Sequence, residues 1–117
     1  MKGEHTVVRT GNLFEDASLP DQGERFDTLL RHENLVVERI LSSTAVDSQP
    51  CAQVQDEWVL MVRGEAALQV AGETVPLASG DYVFLPGGTS HCVERVSAGA
   101  LWLAVHLHPQ AAAPKSG

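Results

Sequence analysis

Two residues with a capacity for chemistry, a carboxylate and an imidazole, lie in the two most regular parts of this sequence. Glu57 lies within the apolar segment EWVLMVRG, where a carboxylate is costly unless a metal ion, an arginine or hydrogen bonds compensate for its burial. His91 follows the segment GDYVFLPGGTS directly. An imidazole held at a fixed position can ligate a metal ion or transfer a proton. The alternative for His91 is a structural hydrogen bond to a backbone carbonyl, and the alternatives for Glu57 are an ion pair with Arg63 or Arg95 and simple exposure. The sequence therefore indicates a site built from an acid and a histidine that are distant along the chain.

The segment before His91 predicts a short strand enclosed by two turns. Residues 82–85 are aromatic, β-branched or aliphatic, which favours a strand. Pro86 fixes its own φ, and Gly87 and Gly88 permit the positive φ values that a sharp reversal needs. We therefore expect His91 at the start of the following strand, presented by a rigid turn.

The segment around Glu57 predicts a strand whose two faces have different neighbours. Side chains alternate along a strand, so one face carries Gln55, Glu57, Val59 and Met61. The other face carries Asp56, Trp58, Leu60 and Val62. Both faces are largely apolar. This pattern predicts a ligand cavity on the glutamate side and a packed sheet or a second subunit on the other side.

The two segments together resemble the two sequence motifs of the cupin superfamily. The second cupin motif is matched by the spacing of four residues: Gly80, Pro86, Gly88 and His91. Glu57 followed by Gly64 matches the closing half of the first motif. The resemblance covers residues 51–95 and implies a small single-domain cupin of the RmlC-like jelly-roll superfamily, in a bacterial subgroup of mostly unassigned function. The fold that it implies is an all-β double-stranded β-helix, or jelly-roll barrel.

The resemblance also implies a set of site residues, with departures from the usual pattern. It gives Glu57 and His91 as metal ligands, but the two histidines that metal-binding cupins usually place before the glutamate are Cys51 and Gln53 here. Cys51 is interpreted either as a thiolate ligand, which would favour zinc or another soft metal, or as a small buried hydrophobe. Gln53 is better suited to hydrogen-bonding a bound molecule. The asparagine often found four residues after the histidine is Arg95.

The last predicted strand offers a third candidate metal ligand. His106 and His108 fall on the same face of residues 100–108. If that face lines the cavity, Glu57, His91 and His106 form a two-histidine, one-carboxylate set that suits iron, manganese or zinc. The alternative is a solvated strand end, with His108 the more exposed of the two histidines.

Arg95 is the candidate for binding a charged part of the substrate. Strand alternation returns Arg95 to the side of His91, where its guanidinium fork could hold a substrate carboxylate. The alternative is an ion pair with Glu94 or Glu57.

The rest of the chain predicts further strands and one short helix. Phe26, Leu29 and Leu30 recur at helical spacing after Pro20, which predicts a helix over residues 20–32 that caps the barrel. A short edge strand is expected at residues 5–9. Strands at intervals of about ten residues are typical of a jelly roll, and they are predicted at 35–41, 66–70, 74–77, 91–96 and 100–108.

The length and charge of the chain limit its organisation and its partners. At 117 residues it fits one domain, with residues 1–34 packing on a barrel of residues 35–108 and a flexible tail at 109–117. Eight Lys and Arg against fifteen Asp and Glu give a formal charge of -7, which opposes binding to nucleic acids and anionic membranes. The first residues contain no apolar signal segment, and two cysteines are too few for a disulfide framework, so we predict a cytoplasmic protein.

These observations lead to two hypotheses on function. The first is a metal-dependent enzyme on a small molecule, in one version anionic, with Glu57 and His91 as catalytic residues; the resemblance allows isomerase, dioxygenase or decarboxylase chemistry. The second is a non-catalytic binding or sensing barrel that has lost its metal, in which Gln53 joins the same two residues as hydrogen-bonding groups. In both, a small molecule is the ligand. The apolar far side of the Glu57 strand predicts a homodimer.

Overall fold

The structure is a computed structural model that describes residues 8–46 and 48–110. These residues form nine strands: β1 Glu24–His32, β2 Leu35–Ser42, β3 Cys51–Ala52, β4 Asp56–Arg63, β5 Ala66–Val70, β6 Glu73–Leu77, β7 Tyr82–Leu85, β8 Ser90–Val96 and β9 Ala100–Leu107. None of the described residues lies in a helix. It follows that none of them forms a helix able to cross a membrane.

The strands form two antiparallel sheets that enclose one core. The five-stranded sheet has the order β1-β2-β9-β4-β7, and the four-stranded sheet has the order β3-β8-β5-β6. Both sheets contribute to one buried apolar cluster, whose larger members are Ile40, Val59, Met61, Leu68, Leu77, Leu85 and Trp102. The all-β jelly-roll fold predicted from the sequence is confirmed.

The strand that carries Glu57 follows the predicted alternation. Glu57, Val59 and Met61 are buried, whereas Trp58 and Leu60 between them are only partly so. β4 lies inside the five-stranded sheet, between β9 and β7. The glutamate is therefore fixed on the inner face of a strand that is paired on both sides.

The turn before His91 also forms as expected. β7 ends at Leu85, and the amide of Thr89 donates to the carbonyl of Pro86 at 3.1 Å, which closes the turn before β8. A side chain at Gly87 would place its Cβ 2.4 Å from the carbonyl oxygen of Val54, so this position requires glycine. The turn therefore packs closely against the backbone of Val54, just before β4.

The predicted helix over residues 20–32 is wrong. Residues Glu24–His32 form β1, which pairs antiparallel with β2, and the register shifts between Thr28 and Leu30. Leu29 is the extra residue of this β-bulge, which reverses the alternation of side chains after it. Phe26, Leu29 and Leu30 are 57%, 46% and 36% exposed, so their helix-like spacing in the sequence does not mark a buried helix face. The edge strand expected at residues 5–9 falls mainly outside the described residues, and Val8 and Arg9 lie in no strand.

The outer face of the five-stranded sheet holds a buried arginine. Arg39 is 6% exposed, and its Nη2 and Nε donate to Asp27 Oδ2 at 2.6 and 3.0 Å. Its guanidinium also donates to backbone carbonyls of the segment before β1, including that of Leu13 at 2.9 Å and that of Asp16 at 3.2 Å. This arginine therefore anchors the N-terminal segment to the outside of the sheet.

Candidate functional site

A cavity of about 240 Å³ lies between the two sheets, on the inner face that carries Glu57. Its apolar wall is formed by Phe26, Ile40, Val59, Leu68, Leu85 and Trp102. Its polar lining includes Glu24, Glu38, Gln53, Glu57, His91 and His106. At about 30 Å³ for each water molecule, the volume corresponds to about eight waters. The cavity is the size of a small metabolite, with acids and imidazoles on an otherwise apolar wall.

The predicted acid and imidazole meet in this cavity. His91 Nε2 lies 3.8 Å from Glu57 Oε1. His91 Nδ1 lies 3.0 Å from the carbonyl oxygen of Thr89, and because a carbonyl oxygen can only accept, Nδ1 carries the proton. In the neutral ring the lone pair is then on Nε2. The backbone of the turn before β8 therefore aims an unprotonated nitrogen at the carboxyl group of Glu57.

Glu57 is buried next to two imidazoles. The residue is 8% exposed, and its carboxyl oxygens lie 3.8 Å from Nε2 of His91 and 3.9 Å from Nε2 of His106. Burial raises the pKa of its carboxyl group, an effect that the positive charges of His106 and His91, when present, partly oppose. A carboxyl group in this condition can receive a hydrogen bond from a ligand or donate its own proton.

His106 also points into the cavity, as the alternation of β9 predicts. Its Nε2 lies 2.8 Å from Glu38 Oε1 and 3.9 Å from Glu57 Oε2, and its Nδ1 lies 3.4 Å from Gln55 Nε2. The hydrogen bond to Glu38 raises the pKa of the His106 imidazole, which favours an ion pair between the two. His108 lies beyond the end of β9, and its ring stacks on that of His106 with centroids 6.2 Å apart.

Two glutamates of this site were not predicted. Glu38 lies on β2, opposite Ala104 of β9, and this pairing turns it towards the inside. Glu24 lies on β1 opposite Ser42, whose hydroxyl donates to Glu24 Oε2 at 2.8 Å. The signal for Glu38 was present in the sequence, because a charged residue within the predicted strand 35–41 must find a partner. Glu24 was hidden by the incorrect helix.

Cys51 and Gln53 border the cavity, but they are not placed together as a pair of metal ligands. Cys51 lies opposite His91 in the β3–β8 ladder and is exposed. Gln53 accepts a hydrogen bond from Gln55 Nε2 at 3.1 Å through its side-chain oxygen. Both residues therefore belong to the mouth of the cavity, where they can contact a bound molecule.

The four predicted ligands do not form a metal site in this arrangement. Within residues 8–46 and 48–110, no group of three or more His, Cys, Asp or Glu side chains is placed to hold a metal ion. His106 has its Nε2 in a hydrogen bond with Glu38, and Cys51 lies at the surface. Glu57 and His91 remain as donors facing the cavity, which is fewer than the three protein ligands of a typical catalytic zinc site.

Arg95 does not lie on the side of His91, and that prediction is corrected. The register between β5 and β8 shifts so that Leu68 faces Val93 and Ala67 faces Arg95, which leaves Glu94 as an extra residue. This bulge turns Arg95 to the outer side. There its side chain is 68% exposed, lies 3.5 Å from Glu94 and borders a separate open groove. The alternative partner Glu94 is the one observed.

This chain is similar to known proteins both in its fold and in the sequence of its motif region. A family model described as Cupin domain matches residues 48–106. The uncharacterized protein SCO3923 of Streptomyces coelicolor is 34% identical over 82 residues, which cover 69% of this chain and 77% of that protein.

Solved structures give the same result. A proposed mannose-6-phosphate isomerase from Ralstonia eutropha JMP134 is 31% identical, with a TM-score of 0.78 over 87% of this chain and 100% of that one. An RmlC-like cupin from Shewanella frigidimarina NCIMB 400 is 19% identical, with a TM-score of 0.70 over 92% of this chain and 93% of that one. The family match, the cavity between two jelly-roll sheets and the placement of both motif residues in it lead to one conclusion: this chain belongs to the cupin family.

Proposed function

We propose that the cavity is the active site of an isomerase-type enzyme that moves a proton on a small hydroxycarbonyl compound. The observation that carries this proposal is the pairing of His91 with Glu57. Nδ1 of the imidazole is bonded to a backbone carbonyl and its free Nε2 lies 3.8 Å from a buried carboxyl group. A general base and a general acid within one small cavity are the groups that such a reaction needs.

The roles of the two residues follow from their protonation. His91 Nε2 takes the proton from the carbon next to the substrate carbonyl, and the resulting imidazolium is held by Thr89 and by the nearby carboxyl group. Glu57, whose pKa is raised by burial, donates its proton to the carbonyl oxygen. The enediol that forms is converted to the isomer when His91 returns its proton to the neighbouring carbon and Glu57 recovers a proton from the second hydroxyl group.

Two further observations concern the substrate: the first supports the isomerase class and the second an unphosphorylated compound. The protein from Ralstonia eutropha that is 31% identical is a proposed mannose-6-phosphate isomerase. Among the described residues that line this cavity, however, none is Lys or Arg. A phosphate or carboxylate group would meet only histidines as positive partners, beside three glutamates. The version of the hypothesis with an anionic substrate is therefore disfavoured.

Deuterium exchange on a series of simple sugars tests the proposal. Aldoses from glyceraldehyde to glucose are incubated with the protein in D2O, and the loss of the proton next to the carbonyl is followed by NMR. We expect exchange with the wild-type protein and a decrease of about 10²- to 10⁴-fold in His91→Gln. The matched control is His32→Gln, an exposed histidine outside the cavity.

The outcomes separate catalysis from binding. Exchange that is equal in wild type and His91→Gln would refute the proposed role of the imidazole. Saturable binding of an aldose without exchange would support the second hypothesis, a non-catalytic barrel in which Gln53, Glu57 and His91 serve as hydrogen-bonding groups.

A metal-dependent enzyme is the second candidate function. The observation that favours it is that the Nε2 atoms of His91 and His106 lie 3.8 and 3.9 Å from the two oxygens of Glu57. A divalent transition metal such as iron, manganese or zinc would first have to displace the hydrogen bond between His106 and Glu38. Metal analysis of protein purified without a polyhistidine tag decides this point. Less than about a tenth of an equivalent, with none taken up on addition, excludes this candidate.

We also propose that the protein is a homodimer that buries the outer face of β4 and β7. Trp58 and Tyr82 pack together on this face with ring centroids 5.5 Å apart, and Tyr82 and Phe84 are 67% and 56% exposed. Analytical ultracentrifugation is expected to show a dimer of the 12.5 kDa chain at micromolar concentration, and Phe84→Glu should give monomers. Val8→Glu, an exposed position outside the strands, is the control. A monomeric wild-type protein would refute this proposal.

A further inference from the structure

The wall of the cavity changes from polar to apolar at the same level on three strands. Side chains two residues apart lie on one face of a strand, about 7 Å from each other. In each of three such pairs the first residue is an acid or a histidine of the site and the second is apolar. The pairs are Glu57 and Val59 on β4, His91 and Val93 on β8, and His106 and Ala104 on β9, which runs antiparallel to β4. The cavity therefore has a polar end with the reacting pair and an apolar part next to it.

This apolar part offers no free hydrogen-bonding group of a side chain. We define the apolar section by four lining residues that are at most 8% exposed: Ile40, Val59, Leu68 and Trp102. Their one polar side-chain atom is Nε1 of Trp102, which donates to the hydroxyl oxygen of Ser42 at 2.9 Å. The hydroxyl group of Ser42 in turn donates to Glu24 at 2.8 Å. A ligand that enters the apolar section therefore meets carbon atoms of these side chains.

Such a wall distinguishes an alkyl chain from the chain of a sugar. A hydroxyl group that enters the apolar section gives up its hydrogen bonds to water and finds no partner there. An apolar pocket disfavours an added hydroxyl group by up to about 10²-fold. A buried methylene group, in contrast, increases affinity about threefold. The lining therefore favours hydrocarbon at this distance from Glu57 and His91.

The size of the cavity limits the length of that hydrocarbon. Its volume of about 240 Å³ corresponds to about eight water molecules. The two carbons and two oxygens of a hydroxycarbonyl group replace about four of these at the polar end. Space for about four more non-hydrogen atoms then remains along the apolar section.

We propose that the substrate is a hydroxycarbonyl compound with an alkyl tail of about three to five carbons, which lies along the apolar section. This inference rests on the proposed function for the reacting end, between Glu57 and His91, and adds the chemical class of the other end. The substrate then differs from a sugar in lacking hydroxyl groups beyond the reacting carbons.

Matched pairs of ketones test this selectivity on the wild-type protein. The alkyl series is hydroxyacetone, 1-hydroxy-2-butanone and 1-hydroxy-2-pentanone, and the hydroxylated counterparts with the same carbon number are dihydroxyacetone, erythrulose and xylulose. Dissociation constants are measured by calorimetry on the full chain at neutral pH. We expect affinity to rise about threefold with each carbon of the alkyl series. 1-Hydroxy-2-pentanone should bind at least about tenfold more tightly than xylulose, and with a more negative heat-capacity change than hydroxyacetone.

A matched pair of variants locates the selectivity in the apolar section. Val59→Thr keeps the size of the side chain and adds a hydroxyl group to the wall, so it should reduce the preference for 1-hydroxy-2-pentanone over xylulose at least about threefold. Val83→Thr is the control, because Val83 is the partner of Val59 on β7 and packs against the same core without lining the cavity. The preference should be unchanged in this variant. Urea denaturation verifies that both variants are folded, and if Val59→Thr is not, the ligand series on the wild type decides alone.

The inference and the proposed function can fail separately. Binding of xylulose that equals or exceeds that of 1-hydroxy-2-pentanone, no gain along the alkyl series, or no saturable binding of 1-hydroxy-2-pentanone up to about 50 mM would each overturn the alkyl tail. A folded Val59→Thr variant with the preference of the wild type would do the same. None of these results affects exchange on glyceraldehyde that depends on His91, which tests the reaction without a tail. Absence of that exchange refutes the proposed reaction and leaves the binding preference to be judged by itself.

Discussion

The two faces of the five-stranded sheet differ in the hydrogen bonds that they provide to a buried charged residue. On the outer face, Arg39 is 6% exposed and donates to Asp27 as well as to several backbone carbonyls. On the inner face, Glu57 is buried to nearly the same extent, and its ion-pair partners His91 and His106 lie at 3.8 and 3.9 Å. The same sheet thus contains one buried charged group with close hydrogen bonds and one whose charged neighbours are more distant.

This difference separates a structural role from a functional one. The hydrogen bonds of Arg39 join β1, β2 and the N-terminal segment, so its charge contributes to folding. Burial makes the ionised form of Glu57 costly, and this cost raises the pKa of its carboxyl group. The ionised carboxylate therefore destabilises the folded protein. A protein can tolerate such a group where a ligand supplies the partner.

The largest expected effect comes from breaking the paired charge. Arg39→Met leaves Asp27 and the carbonyls of the N-terminal segment without their donor. We expect a decrease of about 3–5 kcal/mol in the free energy of unfolding, measured by urea denaturation. Arg95→Met is the control, since this arginine is exposed, and it should change the free energy of unfolding by less than about 0.5 kcal/mol. Equal effects of the two substitutions would refute the structural role of Arg39.

Replacing Glu57 should have the opposite effect on stability. Glu57→Gln removes a carboxyl group whose raised pKa means that folding is favoured when it is protonated, and that this contribution is lost as the pH rises through the pKa in the folded protein. At neutral pH we expect the variant to be as stable as the wild type or up to about 1 kcal/mol more stable.

The same variant should lose proton transfer. Deuterium exchange on the aldoses is expected to fall about 10²- to 10⁴-fold. A clear loss of stability in Glu57→Gln would show that Glu57 is structural, and it would remove the contrast between the two faces.

The smallest effect concerns the ion pair within the cavity. Glu38→Gln should lower the pKa of His106, because the hydrogen bond to Glu38 is the main cause of its increase. In the wild type this pair stabilises the fold at pH values below the pKa of His106 in the folded protein, and the stabilisation is lost as the pH rises through it. NMR titration of the imidazole measures the shift.

An exposed pair provides the control for this titration. Glu33→Gln removes a carboxylate that lies 3.8 Å from the exposed His32, and the titration of His106 should not change. An unchanged pKa of His106 in Glu38→Gln would mean that the ion pair does not form in solution.

The sequence was sufficient for the fold and for the meeting of Glu57 with His91, and it failed where a strand has an extra residue. Strand alternation and the turn before β8 are local patterns, and they placed both residues correctly. Leu29 in β1 and Glu94 in β8 are bulge residues. Each bulge reverses the side to which later residues point, and whether a bulge forms depends on the partner strand.

The missed site residues have different causes. The spacing of Phe26, Leu29 and Leu30 made β1 resemble a helix, which hid Glu24. The bulge in β8 moved Arg95 away from His91. Predicting that Glu38 lies in the site would have required the pairing of β2 with β9, which fixes the face on which Glu38 lies.

The hydrogen bond from His91 to the carbonyl of Thr89 has one more consequence. The proton on the imidazole is positioned by the main chain, so the identity of the side chain at position 89 has no part in it. The residue at position 89 can therefore vary among relatives or in engineered libraries. The position of the proton on the imidazole depends instead on the conformation of the loop, which requires the absence of a side chain at Gly87.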